Sequence, residues 1–239
     1  MRSYLQTRAF FVYREEALAS GNTPVLLLTE QFGMRRVLVK GLTSGKSVLV
    51  SRLDPLLLLD TQLYAMDRAC MLTGATVLHR YADHTLPYAT IEALWSVLGL
   101  LRMLLPEEVP HPEVFARMGL FLSLLPTALH PEVLSLMMQV QLLTELGHLH
   151  VSTACMHCQK SLTAETEVLL RPEDMLLLCR TCAAQLSTAV DLSPLPLLAL
   201  KTLYICSTKS LDMGAMLQVP DEMLTVLRAV LDRRVRALS

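Results

Sequence analysis

Residues 155–182 read CMHCQKSLTAETEVLLRPEDMLLLCRTC, and they hold four of the six cysteines in a chain of 239 residues. Cys155, Cys158, Cys179 and Cys182 form the pattern C-x2-C-x20-C-x2-C, at the upper edge of the spacing of four-cysteine zinc sites. Two thiolates two residues apart can turn onto one ion at about 2.3 Å, and two such knuckles complete a tetrahedron. Four protein ligands leave no open position for water, so the expected zinc is structural and not catalytic. The intervening VLLRPEDMLLL has too little core to fold by itself, and metal binding supplies that free energy. Thioredoxin-like chemistry uses one Cys-x-x-Cys at a helix start in an α/β setting, and paired disulfides need an oxidising compartment. Neither context is visible here. His157 lies inside the first knuckle as a competing ligand type, but four thiolates already satisfy the ion, and we expect it exposed. Cys70 and Cys206 sit in apolar runs and read as small buried residues.

The rest of the chain is apolar, with 52% hydrophobic and 18% charged residues. Even so, no stretch has the roughly 20 apolar residues that a spanning helix needs. The opening MRSYLQTRAFFVYREE places Arg8, Arg14, Glu15 and Glu16 around a short apolar run and does not read as a signal peptide. The cytosol, where thiols stay reduced, is the working expectation. The net charge of −1 hides a partition. Residues 1–80 carry ten Lys/Arg against six Asp/Glu, residues 81–154 two against seven, and residues 155–239 nine against nine. A basic first third suggests an anionic partner, although an ordinary uneven surface gives the same counts.

Upstream, TRAFFVYR, PVLLLTE, RRVLVKG, KSVLVS, DPLLLLD and MLTGATVLHR are short apolar or β-branched runs separated by turn formers. Such runs within eighty residues point to a small barrel or sandwich. From about Tyr88 the texture becomes helical. HPEVFARMGLFLSLLP and HPEVLSLMMQVQLLTELGHLH each open on His-Pro-Glu, a helix start with Pro in the first turn. Apolar on more than one face, these helices are expected to bury one another in a bundle. A closing helix, DEMLTVLRAVLDRRVRALS, ends basic. The expected division is a β-domain over 1–82 and a helical domain over 83–239, with the zinc insert at about 153–185.

No phosphate loop, G-x-S-x-G, H-E-x-x-H or dinucleotide fingerprint is present. GLTSGK (41–46) lacks the order of a phosphate loop and reads as a basic hairpin tip. A binding protein is favoured over an enzyme. In MRRVLVKG the two-residue period puts Arg36, Leu38 and Lys40 on one face and Arg35, Val37 and Val39 on the other. If the valines point inward, Arg36 and Lys40 point outward together, with Lys46 and Arg52 extending the positive side. Small barrels bind nucleic acid through such a basic groove plus aromatic platforms. Phe10, Phe11, Tyr13 and Phe32 are the aromatic candidates, most of them more simply core. Arg233, Arg234 and Arg236 offer a second phosphate-contacting surface, although helices also end in Arg to suit the dipole. The candidate nucleic-acid-binding set is Arg35, Arg36, Lys40, Lys46, Arg52, Arg233, Arg234 and Arg236.

In order along the chain these parts resemble the bacterial recombination mediator family RecO. The resemblance rests on TRAFFVYR, LLLTEQFGMRRVLVKG, SRLDPLLLLD, LLTELGHLHVSTACMHC and LDRRVRALS. Two departures fall on the hairpin's turns: Gln159 stands where family members often have Gly, and Glu173-Asp174 where they often have Gly-Gly. The resemblance implies an α+β chain, an N-terminal OB-fold barrel followed by an α-helical bundle with a zinc insert. It implies binding of single- and double-stranded DNA and annealing of complementary strands. The implied partners are RecR, the acidic C-terminal tail of single-stranded-DNA-binding protein and, indirectly, RecA, with one structural zinc and no catalysis. The alternative is a zinc-stabilised protein-interaction adaptor whose basic face is incidental.

Overall fold

The structure is a computed structural model that describes all residues except 1–2, 43–47, 67–68, 83–84, 164–166, 172–173, 186–191 and 239. It divides into two compact units, Met1–Pro126 and Thr127–Ser239, a division that falls well beyond residue 82.

The first unit begins with β1 (Ser3–Arg14), β2 (Asn22–Thr29), β3 (Gly33–Lys40), β4 (Leu57–Met66) and β5 (Ala69–Arg80). Along the first half of β1 the burial alternates. Thr7 and Ala9 face inward, while Tyr4, Gln6 and Arg8 face solvent, the two-residue period of a half-buried strand. The inward residues of the five strands, among them Ala9, Phe11, Val25, Leu27, Val37, Val39, Leu59, Leu63 and Leu72, form one core. β2 is buried on both faces. The helices α1 (Tyr88–Leu104) and α2 (Pro112–Leu124) complete this unit. Phe10, 1% exposed, meets Phe115 of α2 with ring centroids 4.8 Å apart.

The strand order is β1-β2-β3-β5-β4, and β5 returns to β3 to close the sheet on itself. That closure rests on one parallel register pair, Leu38 opposite Met71. The reason lies on the same edge of β3. Met34 is bridged by Glu107, and the Glu108 N–H donates to the Met34 carbonyl at 2.8 Å, so a connecting segment holds the edge that β5 would otherwise extend along. The expected OB-fold barrel followed by an α-helical bundle is therefore corrected to an α+β fold whose N-terminal sheet is curled and joined at a single rung. KSVLVS is not a strand over its described part: Val50–Arg52 make one 3-10 turn, and Lys46 and Ser47 lie outside the described residues.

The second unit is also α+β and not a pure bundle. It contains α3 (Pro131–Glu145), β6 (Glu167–Arg171), β7 (Leu176–Leu178), α4 (Arg180–Gln185), β8 (Ser193–Pro196), α5 (Leu197–Thr208), α6 (Leu211–Gly214) and α7 (Asp221–Arg236). A second sheet runs β7-β6-β8. β8 is Ser-Pro-Leu-Pro, and its two prolines fit an edge strand because neither can donate to a further neighbour. α3 is buried along most of its length, and the side-chain amide of its Gln141 donates to the carbonyls of Cys206 and Lys209 at 3.0 and 2.8 Å. These are groups that the end of α5 leaves over. Among the described residues, no helix is long and apolar enough to cross a membrane.

Candidate metal centre and nucleic-acid face

In the second unit the sulfurs of Cys155, Cys158, Cys179 and Cys182 all lie within 4.8 Å of one another. The first knuckle is a tight turn. The Gln159 N–H donates to the Cys155 carbonyl at 2.9 Å and the Cys155 N–H to the Lys160 carbonyl at 2.8 Å. Gln159 closes it with a left-handed backbone, φ 60°, the conformation for which glycine is the usual residue. Met175 does the same at the hairpin tip with φ 62°. The second knuckle begins as β7 ends and runs into α4, where the Ala183 N–H donates to the Cys179 carbonyl at 3.0 Å. The two knuckles are tied by the Met156 N–H to the Leu177 carbonyl at 3.0 Å.

The Cys158 and Cys179 sulfurs are 3.8 Å apart. A tetrahedron with 2.3 Å metal–sulfur bonds has edges of about that length. Cys155 receives backbone N–H bonds: burial works to raise its pKa, and the donors from Cys158, Cys179 and His157 bring it down to about 6. Burial and the neighbouring sulfurs push Cys182 up to about 12. A cation among the four sulfurs favours their thiolate forms. His157 is exposed, with its Nδ1 3.6 Å from the Cys182 sulfur. Cys70 and Cys206 are buried elsewhere, and burial drives the Cys206 thiol up to about 12.

In the first unit, Val37 and Val39 are fully buried while Arg36 and Lys40 are exposed. Arg35 shares the inner face. Its guanidinium, 13% exposed, pairs with Glu108 at 2.5 Å and lies 5.9 Å from the Phe32 ring centroid. Arg36 is ion-paired with Glu15, and Arg52 donates to the Ala75 carbonyl. Lys40 and Arg52 line a groove of about 620 Å³ over β4 and β5, together with Gln62, Met71, Thr73 and Asp60. Lys46 lies outside the described residues.

Of the aromatic candidates, Phe10 and Phe11 are buried, Tyr13 lies under Arg102 at 3.8 Å, and Phe32 sits beside Arg35. The sequence reading passed over Tyr4, 79% exposed, whose ring meets that of Tyr64 with centroids 4.9 Å apart. Its signal was the alternation of Tyr4, Gln6 and Arg8 on one face of β1. In the second unit, Arg233 donates to Ser193 Oγ at 2.9 Å and Arg234 to the His148 carbonyl at 2.7 Å. These contacts tie α7 to β8 and to the chain beyond α3, while Arg236 is exposed at the helix end.

A search of the curated proteins finds no match. The family model described as "Recombination protein O C terminal" matches residues 93–238, more than half of the chain. That span takes in both cysteine knuckles, and proteins of this family are non-catalytic mediators of recombination. The chain belongs to the recombination protein O, or RecO, family.

Proposed function

We propose that this protein is a DNA repair and recombination mediator that binds single- and double-stranded DNA and anneals complementary strands. With RecR it helps load RecA onto DNA coated with single-stranded-DNA-binding protein, whose acidic tail is a further partner. It works in the cytoplasm at the nucleoid. The family match carries this reading. The exposed Lys40 and the groove it shares with Arg52 support it on the DNA side.

The metal is one zinc ion held by Cys155, Cys158, Cys179 and Cys182, an assignment supported by an all-sulfur donor set, which suits zinc. Zinc supplies folding free energy to the insert, and with four protein ligands it presents no open position.

The test is annealing of complementary oligonucleotides coated with single-stranded-DNA-binding protein, at two salt concentrations. Wild type anneals in a salt-sensitive way, and Arg36→Ala/Lys40→Ala anneals less while remaining folded. Failure of the folded, zinc-loaded wild type to anneal overturns the reading in favour of an adaptor.

A further inference from the structure

Strand register places Tyr4, Tyr64, Met71 and Leu38 in one row across β1, β4, β5 and β3. Tyr4 is opposite Tyr64, Tyr64 opposite Met71, and Met71 opposite Leu38. The row lies on the outer face, because Leu38 shares its side of β3 with exposed Arg36 and Lys40 while Val37 and Val39 point into the core. A tyrosine pair serving as core would hide its rings, yet Tyr4 is 79% exposed. Met71 and Leu38 are partly buried and extend the apolar stripe across four strands.

A cation flanks this row on each side. Along β3, Arg36 and Lys40 stand two residues to either side of Leu38, about 7 Å away each. On the Lys40 side, the groove of about 620 Å³ includes Gln62, Met71 and Arg52. On the Arg36 side, a hollow of about 330 Å³ is lined by Arg35, Arg36, Ala65, Met66 and Ala69. Both concavities also hold carboxylates. Asp60 lies in the first and receives the Gln6 amide at 2.7 Å, and Glu107 and Glu108 lie in the second. Arg36 itself is paired with Glu15. Lys40, in contrast, is exposed with no side-chain partner among the described residues.

We infer that the Tyr4–Tyr64 pair is a stacking platform for unpaired bases of single-stranded DNA, whose phosphates run from Arg36 to Lys40 past Leu38, at the β3 end of the row. The inference rests on the DNA-binding reading above and deepens it by naming the part of DNA recognised. Aromatic faces accept any base, so a platform adds affinity without sequence preference. Bases in a duplex are already stacked on their neighbours, so the platform discriminates for unpaired strands.

The full-length protein is titrated with a fluorescently labelled oligothymidylate, an abasic strand of equal length and a duplex. Variants are Tyr4→Ala/Tyr64→Ala and Tyr4→Phe/Tyr64→Phe, with thermal melting to confirm that each is folded. The alanine pair weakens oligothymidylate binding about tenfold, and the phenylalanine pair keeps it, because stacking uses the ring and not the hydroxyl. Wild type binds the abasic strand about as weakly as the alanine pair binds oligothymidylate. Duplex affinity and the salt slope are the same in all three proteins, because no phosphate contact is removed. Equal oligothymidylate binding by wild type and a folded alanine pair overturns the platform while leaving the DNA-binding reading intact. Should the phenylalanine pair lose binding as the alanine pair does, stacking is refuted in favour of a hydroxyl contact. No DNA binding by folded wild type overturns both.

Discussion

Arg35 and Glu108 meet at 2.5 Å across 73 residues of sequence, and Glu108 reaches that position on a left-handed backbone with φ 65°. The contact adds an acidic residue to the hollow that also contains Arg36. A carboxylate there repels a phosphate approaching Arg36. Glu108→Gln is expected to raise single-strand affinity about threefold at low salt, in line with the modest worth of an exposed pair. Anisotropy titrations at two salt concentrations check this, with the gain shrinking as salt screens the charge.

Gly33 is fixed by a backbone neighbour. Its φ is +68°, and a Cβ built there would come within 1.9 Å of the Val109 carbonyl oxygen. A backbone atom cannot turn aside as a side chain would. Gly33→Ala is expected to cost about 3 kcal/mol, combining left-handed strain with overpacking, as measured by chemical denaturation. Gly214→Ala is the control. There the nearest atom is the Met137 sulfur at 2.7 Å, at the flexible end of a side chain, and the expected cost is about 1 kcal/mol.

Removing the metal should act locally. The insert contributes β6 and β7 to a three-stranded sheet, and its four cysteines gather beside those strands. Chelation is expected to abolish amide protection over β6 and β7 while the core of residues 3–80 keeps its own, read by hydrogen exchange. Cys179→Ser should reproduce that pattern without chelator. Equal protection before and after chelation would remove the metal from the folding of the insert.

Acid titrates the Arg8–Glu30 pair. The side-chain hydrogen bond from Arg8, with its charge, holds Glu30 below its ordinary value of 4.5. A carboxylate depressed in the folded state contributes stability above its unfolded pKa and loses it as pH falls through the folded one. Both groups are partly solvated, so the loss below pH 4.5 is expected to be under about 1 kcal/mol. Glu30→Gln should remove that part of the acid-side slope in urea denaturation followed from pH 6 to 3.

The features legible in the sequence are those written in neighbouring residues. The four cysteines announce their cluster because each knuckle spans only four residues, and His111-Pro112 and His130-Pro131 mark helix starts because Pro fits the first turn. Gln159 shows a local rule overridden: the turn adopts a left-handed conformation without the glycine that would make it cheap. What stayed hidden depends on distant strands. The Arg35–Glu108 ion pair is one such feature, because Glu108 lies on the segment joining two helices. The Tyr4–Tyr64 pair is another, because only the β1–β4 register sets the two residues opposite each other. β8 was invisible because Ser-Pro-Leu-Pro has no strand signature of its own. It is a strand because β6 offers it an edge.

The edge of β3 taken by Glu107 has a practical corollary for anyone dissecting the chain. A piece ending at Ala82 would lose the segment that pairs with Met34, the carbonyl packed on Gly33 and the ring of Phe115 that covers Phe10. Such a piece would leave a strand edge and an aromatic face uncovered, which is a recipe for self-association. A fragment ending at Pro126, where the first compact unit ends, keeps all three seals.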